Sequence, residues 1–261
     1  MSPIRQNDIH EVELAERPVV VFAEDYPSGL KAEMHVHPRG QLLYAVSGVM
    51  RIATEAARYI VPPTAALHLP ADTLHSIQMD GDVRMRALFL RKSAAERVGD
   101  TAAVIAVTPL LRELILAACA EPLDWALDGR GHHIAALALD EIENSTELPL
   151  SLSQPVDPRL KRVTDALCTM PTDSRSLEDW AENSGATSRT LARLFRAETG
   201  MSFRQWRRQL RLTERFTALV SGMSSSEAAT VAGFESAPAF GAAFLEVFGL
   251  TPGKAREKFS C

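Results

Sequence analysis

Between about residues 18 and 92 the chain is written in short apolar runs separated by turn residues: "PVVVFAEDYPSG", "QLLYAVSGVMRIAT", "RYIVPPTAALHLPADTLHSIQM" and "VRMRALFLRK". Runs of this length, with β-branched residues and Gly/Pro punctuation, predict strands that close into a compact β-sandwich or barrel. The pattern changes after Pro109. In "PLLRELILAACAEP" and "GHHIAALALDEIENS" the apolar positions recur at helical spacing with a short connector, which predicts an αα-hairpin. Both segments are more apolar than a solvent-facing helix needs to be, so their faces are buried either against the barrel or in a dimer interface. "ELPLSLSQPVDPR" (147–159) holds three prolines and reads as an interdomain linker. Everything beyond it has helical spacing. The expected organisation is α+β: a β-barrel over 1–105, the helical hairpin over 106–147, a linker over 148–158 and an all-α domain over 159–261.

The helical region contains an internal repeat. "AENSGATSRTLARLFRAETGMS" matches "ATVAGFESAPAFGAAFLEVFGLT": Ala181, Gly185 and Ser188 align with Ala229, Gly233 and Ser236 at an offset of 48. Leu191, Phe195 and Gly200 align with Phe240, Phe244 and Gly249 at an offset of 49, as though the second copy held one extra turn residue. Each copy reads helix, glycine turn, serine near a helix start, then apolar residues four apart. That is the layout of a helix-turn-helix, whose second helix enters the DNA major groove. The serine supplies an N-cap oxygen, and Pro238 fits the first turn of its helix.

Charge sharpens this reading. The net charge of −5 conceals an asymmetry: from Pro155 onward there are 15 basic and 12 acidic residues, against 13 and 21 before it, and all seven histidines precede residue 134. Such unequal halves predict domains with different partners. Arg189, Arg193 and Arg196 form a stripe at i, i+4 and i+7, opposite an apolar face of Leu191, Leu194 and Phe195. Between Arg189 and Arg215 there are eight arginines and two acids, with Trp206 among them in "FRQWRRQLRL". Arginine is the commonest reader of guanine edges and also neutralises phosphates.

Composition narrows the class. At 46% hydrophobic and 23% charged residues the chain is an ordinary globular protein, not a disordered or fibrous one. No window holds eighteen consecutive apolar residues, so no membrane span is expected. "MSPIRQNDIHEVELAERP" has no apolar signal-peptide core, and Cys119, Cys168 and Cys261 are too few and too scattered for a disulfide framework. A cytoplasmic protein is expected.

"SLEDWAENSGATSRTLARLFRAETGMSFRQWRRQLRL" followed by "ATVAGFESAPAFGAAFLEVFGLTPGKAREKF" resembles the AraC/XylS-type DNA-binding domain over about residues 157–259, most specifically in "GF.S..AF...F...FG.TP". The resemblance implies two helix-turn-helix units joined by a long helix and reading successive major-groove segments. Trp206 to Arg211 would then lie near the start of the joining helix, and Thr251 to Lys258 would close the domain. The DNA-contacting set it suggests is Ser188, Arg189, Thr190, Arg193 and Arg196 in the first unit, then Arg204, Trp206, Arg207, Arg208 and Arg211. Ser236 and Ala237 stand at the start of the second recognition helix. There is a departure: "FGAAFLEVFG" has no basic residue and one acid, Glu246. The second unit is therefore expected to contribute positioning and small-side-chain contacts, with Phe240, Phe244 and Phe248 in the core.

In "EMHVHPRGQLLYAVSG", His35 and His37 are two apart, and residues i and i+2 of a strand share a face. The spacing Gly29, His35, His37, Gln41, Gly48, then Pro70 and His75 in "PADTLH", resembles the cupin metal motif, with Gln41 in place of its glutamate and Asp72 in place of its glycine. This implies a cupin-like barrel whose site set is His35, His37, Gln41 and His75. Three imidazoles suit Zn, Ni, Cu or Fe with a fourth position open. The same side chains, with a neutral amide for the carboxylate, also suit a metal-free pocket for an organic effector. His68 is expected either exposed or in the pocket, and His132 and His133 on the surface.

The expectation is a DNA-binding transcriptional regulator controlled by a small molecule or metal held in the barrel. Its partners would be double-stranded promoter DNA, the effector, a second copy in a homodimer, and RNA polymerase, with no membrane. A cupin metalloenzyme with an accessory DNA-binding domain stands as a distant alternative, since no nucleophile–base pair or phosphate loop is visible. A DNA-binding protein with a ligand-blind barrel is a third reading.

Overall fold

A computed structural model describes residues 6–220 and 222–259. Cys261 lies outside the described residues; Cys119 and Cys168 are free thiols. The chain divides into two compact units, the first 1–54 with 59–150, the second 55–58 with 151–261.

The first unit opens with α1 (Gln6–Leu14) and continues through β1 (Val19–Tyr26), β2 (Lys31–His35), β3 (Gly40–Ala45), β4 (Val49–Thr54), β5 (Ala57–Val61), β6 (Ala65–Leu69), β7 (His75–Asp80) and β8 (Val83–Leu90). Then come α2 (Lys92–Val98), β9 (Ala103–Ala106), α3 (Pro109–Ala118) and α4 (Arg130–Glu143). One antiparallel sheet runs β1-β8-β3-β6-β9; the strands of the other within this unit run β5-β4-β7-β2. This is the expected cupin-like barrel.

β3 and β6 are buried along their whole length, on both faces. The reason is the helical hairpin. Leu42, Tyr44, Ala66, Leu88 and Leu90 point outward into a cluster with Leu111 and Ile115 of α3 and Ala135, Ala138, Leu139 and Ile142 of α4. Each Leu or Ile buried there contributes about 1.5–3 kcal/mol. Packing on the barrel thus accounts for the hairpin's apolar faces. The connector between α3 and α4 is longer than the sequence suggests, 119–129, and inserts Trp125, whose indole N–H donates to the Val19 carbonyl at 3.0 Å.

Two motif positions are explained by backbone geometry. Asp72, where the cupin motif has glycine, adopts φ 59°, a left-handed conformation that Asp tolerates better than most residues. Gly48 also has positive φ (74°), and a Cβ there would lie 2.6 Å from the Asp82 carbonyl oxygen. Gly48→Ala is therefore expected to cost more than about 1 kcal/mol, read as a lower urea midpoint for the barrel with an unchanged m-value.

The expected linker is more ordered than its prolines suggest. Leu148, Leu150 and Leu152 are all buried, and Ser151–Ser153 forms β10. Prolines and serines interleave a leucine at every second position, a strand period that is easily taken for a turn-rich stretch.

The second unit continues through α5 (Pro158–Thr169), α6 (Leu177–Ser184), α7 (Ser188–Thr199), α8 (Phe203–Val220), α9 (Ser225–Val231), α10 (Ala237–Phe248) and α11 (Pro252–Phe259). Its first core gathers Leu160, Val163, Trp180, Leu191, Phe195 and Trp206, among others. Phe216, Phe240, Phe244 and Phe248 pack as an aromatic group, with Phe244 and Phe248 centroids 4.4 Å apart. The repeat reaches further upstream than the glycine turns. Ser176 with Asp179, and Ser224 with Glu227, form capping boxes at the starts of α6 and α9, 48 residues apart. Among the described residues no helix is long and apolar enough to cross a membrane.

Candidate nucleic-acid interface and metal centre

The caps bring the two helix-turn-helix units into register. α6 is closed by Gly185, and α9 by Ala232 followed by Gly233, both glycines having positive φ; α7 and α10 each span twelve residues and are closed by Gly200 and Gly249. The caps correct the sequence alignment. α7 is capped by Thr187, whose hydroxyl accepts from the Thr190 N–H at 3.2 Å, so Ser188 is the first helical residue. Ser236 caps α10, accepting from Ala239. Thr187 and Ser236 are 49 apart, so the extra residue of the second copy lies between its glycine and its cap.

On α7, Arg189, Arg193 and Arg196 are exposed, while Leu191, Leu194 and Phe195 are buried. The stripe is a free surface. Glu198, one of the two acids in this stretch, is drawn off it: its carboxylate accepts from the Val156 and Asp157 amides at 2.7 and 3.1 Å. Beside the stripe is a concave surface lined by Arg196, Arg204 and Arg207, by Ser174, Ser176 and Ser202, and by one acid, Glu178.

The arginines of α8 are less available than the sequence suggests. Arg207 donates to the Arg175 carbonyl at 2.8 Å and lies over the Phe203 ring. Arg208 pairs with Glu246 of α10 at 2.5 Å, and Arg211 donates to the carbonyls of Pro171 and Asp173. Trp206 is 1% exposed, packed near Phe195, with its indole N–H directed at the Ser153 carbonyl at 3.4 Å. It is a core residue rather than a DNA contact. The stripe at Phe203, Trp206, Leu210 and Thr213 that buries it is periodic, and that periodicity was available in the sequence. α10 turns Pro238, Ala239, Ala242, Leu245 and Glu246 to solvent, with no cation.

In the barrel, β2 and β7 pair so that His35 stands directly opposite His75, with ring centroids 4.3 Å apart. His37, just beyond β2, comes within 4.9 Å of His35 and 5.7 Å of His75, its ring edge-on to Phe89 of β8. One nitrogen from each imidazole lies within 4.8 Å of the others. His37 and His75 are buried and His35 is half-buried, so the cluster opens on the His35 side.

The hydrogen bonds point to the tautomer of each ring. Nδ1 of His35 meets the Glu33 carbonyl at 2.6 Å, Nδ1 of His75 the Thr73 carbonyl at 2.8 Å, and Nδ1 of His37 the Glu13 carboxylate at 2.6 Å. Every partner is an acceptor, so every Nδ1 carries the proton and every Nε2 keeps its lone pair. The Nε2 of His75 is buried with no hydrogen-bond partner. Burial pushes the His75 pKa down to about 4 and lowers that of His37 as well, which keeps both rings neutral near pH 7. Neutral imidazoles oriented through Nδ1 are what a divalent transition metal requires of its ligands.

Gln41 is buried on β3 opposite Phe89, and so on the face that carries Phe89 towards His37. His68 does not join the cluster: it is buried on the outward parity of β6, 3.3 Å from the Thr101 carbonyl. His132 and His133 are exposed. Glu13 is the residue that sequence reasoning missed. It lies 24 positions before His37, and no local spacing connects them.

Comparison with known proteins agrees with both halves. The family described as "Helix-turn-helix domain" matches residues 180–258, and the family described as "Cupin domain" matches residues 22–91. The HTH-type transcriptional regulator NimR of Escherichia coli K12 is 31% identical over 225 residues, 86% of this chain and 82% of that protein. The chain belongs to the AraC-type transcriptional regulators. A second relative of this AraC-type regulator is the HTH-type transcriptional regulator RipA of Corynebacterium glutamicum, 35% identical over 98 residues, 38% of this chain and 30% of that one. Among solved structures, ToxT from Vibrio cholerae aligns over 94% of this AraC-type chain and all of its own, at 9% identity and a TM-score of 0.40.

Proposed function

We propose that this AraC-type regulator reads promoter DNA chiefly through α7, and that the histidine cluster of its barrel holds a divalent transition metal (Zn, Ni, Cu or Fe) that sets its DNA affinity. The observation that carries the second half is the convergence of three imidazoles, one nitrogen of each within 4.8 Å of the others, with every Nδ1 facing an acceptor. Three imidazoles would leave a coordination position open, and the half-buried His35 marks the side from which a metabolite could reach it. For base reading we assign Ser188, Arg189, Thr190 and Arg193; for phosphates, Arg196 and Arg204. Ser236 and Ala237 start a second recognition helix that works by shape and apolar contact, as small side chains do against thymine methyl groups.

Gln41 supports a second reading, in which an organic effector fills a metal-free pocket and the amide hydrogen-bonds it. In either case the ligand must differ in affinity between two arrangements of the protein, since one indifferent to both shifts nothing. No catalytic role is assigned, in keeping with relatives named as regulators. A homodimer through the outer face of the hairpin, where Leu110 and Leu137 are exposed, fits the same reading. So does a place in the cytoplasm, beside the DNA it reads.

The test is selection of bound fragments from a genomic library with the full chain, in zinc and in chelator. We expect a few sequences to be enriched, and their affinity to differ between the two conditions by about 5- to 150-fold. No enrichment would sink the promoter-reading half. Enrichment with equal affinity in both conditions would sink metal control.

A further inference from the structure

Two of the three histidines are oriented from within their own sheet: His35 by the Glu33 carbonyl and His75 by the Thr73 carbonyl, each two residues away. His37 is the exception. Its Nδ1 proton goes to Glu13, on the last turn of α1, an element outside the barrel's sheets. Glu13 and His37 are both largely shielded from solvent, their side chains 20% and 8% exposed.

The same turn is gripped a second time. Arg39, two residues after His37 and 4% exposed, donates from Nε to the Glu13 carbonyl at 3.1 Å, from Nη1 to the Arg17 carbonyl at 3.2 Å, and from Nη2 to the Ala15 carbonyl. One buried guanidinium therefore holds three alternate carbonyls at the end of α1, and Val12 of α1 is buried beside them. Charge points the same way. With Gln41 where the cupin motif has a carboxylate, a dication held by three neutral imidazoles would lack an anionic neighbour, and Glu13 supplies one through His37.

We propose that Glu13 is a positioning residue for the metal centre, fixing His37 with Nε2 toward the cluster, and that metal binding and docking of the α1 segment are thereby one linked equilibrium. This rests on the metal reading of the cluster. A metal on Nε2 makes the Nδ1 proton a stronger donor, so occupancy strengthens the bond to Glu13. By reciprocity, whatever factor docked α1 contributes to metal affinity, the metal returns to the docking of α1. The N-terminal segment becomes the part of the barrel that reports occupancy.

The experiment uses the full chain and zinc sulfate. Zinc affinity is measured by chelator competition for the wild type, Glu13→Gln and Glu13→Ala, and backbone hydrogen exchange is followed over residues 9–17 with and without zinc. We expect Glu13→Ala to weaken zinc about 10- to 100-fold, Glu13→Gln by less because the amide oxygen still accepts, and zinc to slow exchange over 9–17 in the wild type. The cobalt(II) spectrum of Glu13→Gln should retain a three-imidazole site. Unchanged affinity in Glu13→Ala overturns the proposal while leaving the metal site standing. Unchanged exchange in zinc-loaded wild type overturns the linkage without relying on any variant. A wild type that binds no zinc, cobalt or nickel ends the parent reading and this one together.

Discussion

Arg193→Ala, and separately Arg189→Ala, should lose about 1–3 kcal/mol at a selected site, roughly 5- to 150-fold in Kd, and relax the base preference at one position. Both side chains are exposed on α7, and among the described residues neither forms an ion pair or hydrogen bond within the protein. The fold should therefore not notice their removal. Arg208→Ala makes the contrast. Its guanidinium is tied to Glu246, so its loss loosens α8 from α10, costs about 1 kcal/mol or less of stability, and weakens binding to every sequence alike. Glu246→Ala should have the same consequence, and the double variant little more than either alone. Fluorescence anisotropy on a selected duplex and on a scrambled one, repeated across salt, separates these cases. If Arg193→Ala lost affinity equally on both duplexes and its salt slope fell by about one, Arg193 would be a phosphate contact instead.

The second large effect concerns metal removal. Protein purified without a chelating tag should carry near-stoichiometric metal by elemental analysis, and His35→Ala or His75→Ala should carry almost none. An ion that binds only the folded barrel should, as free zinc at 100 times its Kd, stabilise the wild type by about 2.7 kcal/mol and leave either variant unmoved. The pH dependence follows from burial. Since His75 is held neutral until the pH approaches about 4, and the His37 pKa also lies below its usual value, protons compete little at those two ligands near neutrality. A wild type that copurifies with no metal, and whose unfolding is indifferent to zinc, would make the cluster a pocket for an organic effector. A metabolite screen would then take the place of the metal titration.

What the sequence made legible follows from the range of each interaction. The strands of the barrel and the two helix-turn-helix units are written in local periods, two for strands and nearly four for helices, and they stand where those periods put them. His35, His37 and His75 were legible because a motif spacing fixes strand register, and register fixes which side chains share a face. Asp72 was legible only as a departure until its left-handed backbone explained it. The capping boxes at Ser176 and Ser224 are written in the sequence as S-x-x-D and S-x-x-E, and they anchor the repeat more firmly than Ser188 does.

The rest was hidden for physical reasons. Glu13 meets His37 through the path of the chain in three dimensions, and no spacing rule spans a separation of 24 that crosses two strands and their turns. Arg207, Arg208 and Arg211 read as free cations because their partners are backbone carbonyls or an acid 38 positions away. β10 was masked by the prolines that flank it, Pro149 and Pro155. The difference between an arginine waiting for DNA and one already satisfied is a tertiary fact.

The bare surface of α10 bears on how the protein finds its target. Coulombic attraction to DNA acts across a Debye length, about 8–10 Å in cellular salt, whereas apolar complementarity acts only at contact. If α7 is the reading helix, its three exposed arginines would draw the domain toward DNA, while α10, whose single acid pairs with Arg208, would feel the groove only once seated there. On that reading, search speed and stringency would be set by different helices. Evolution, or an engineer, can shorten the first without loosening the second.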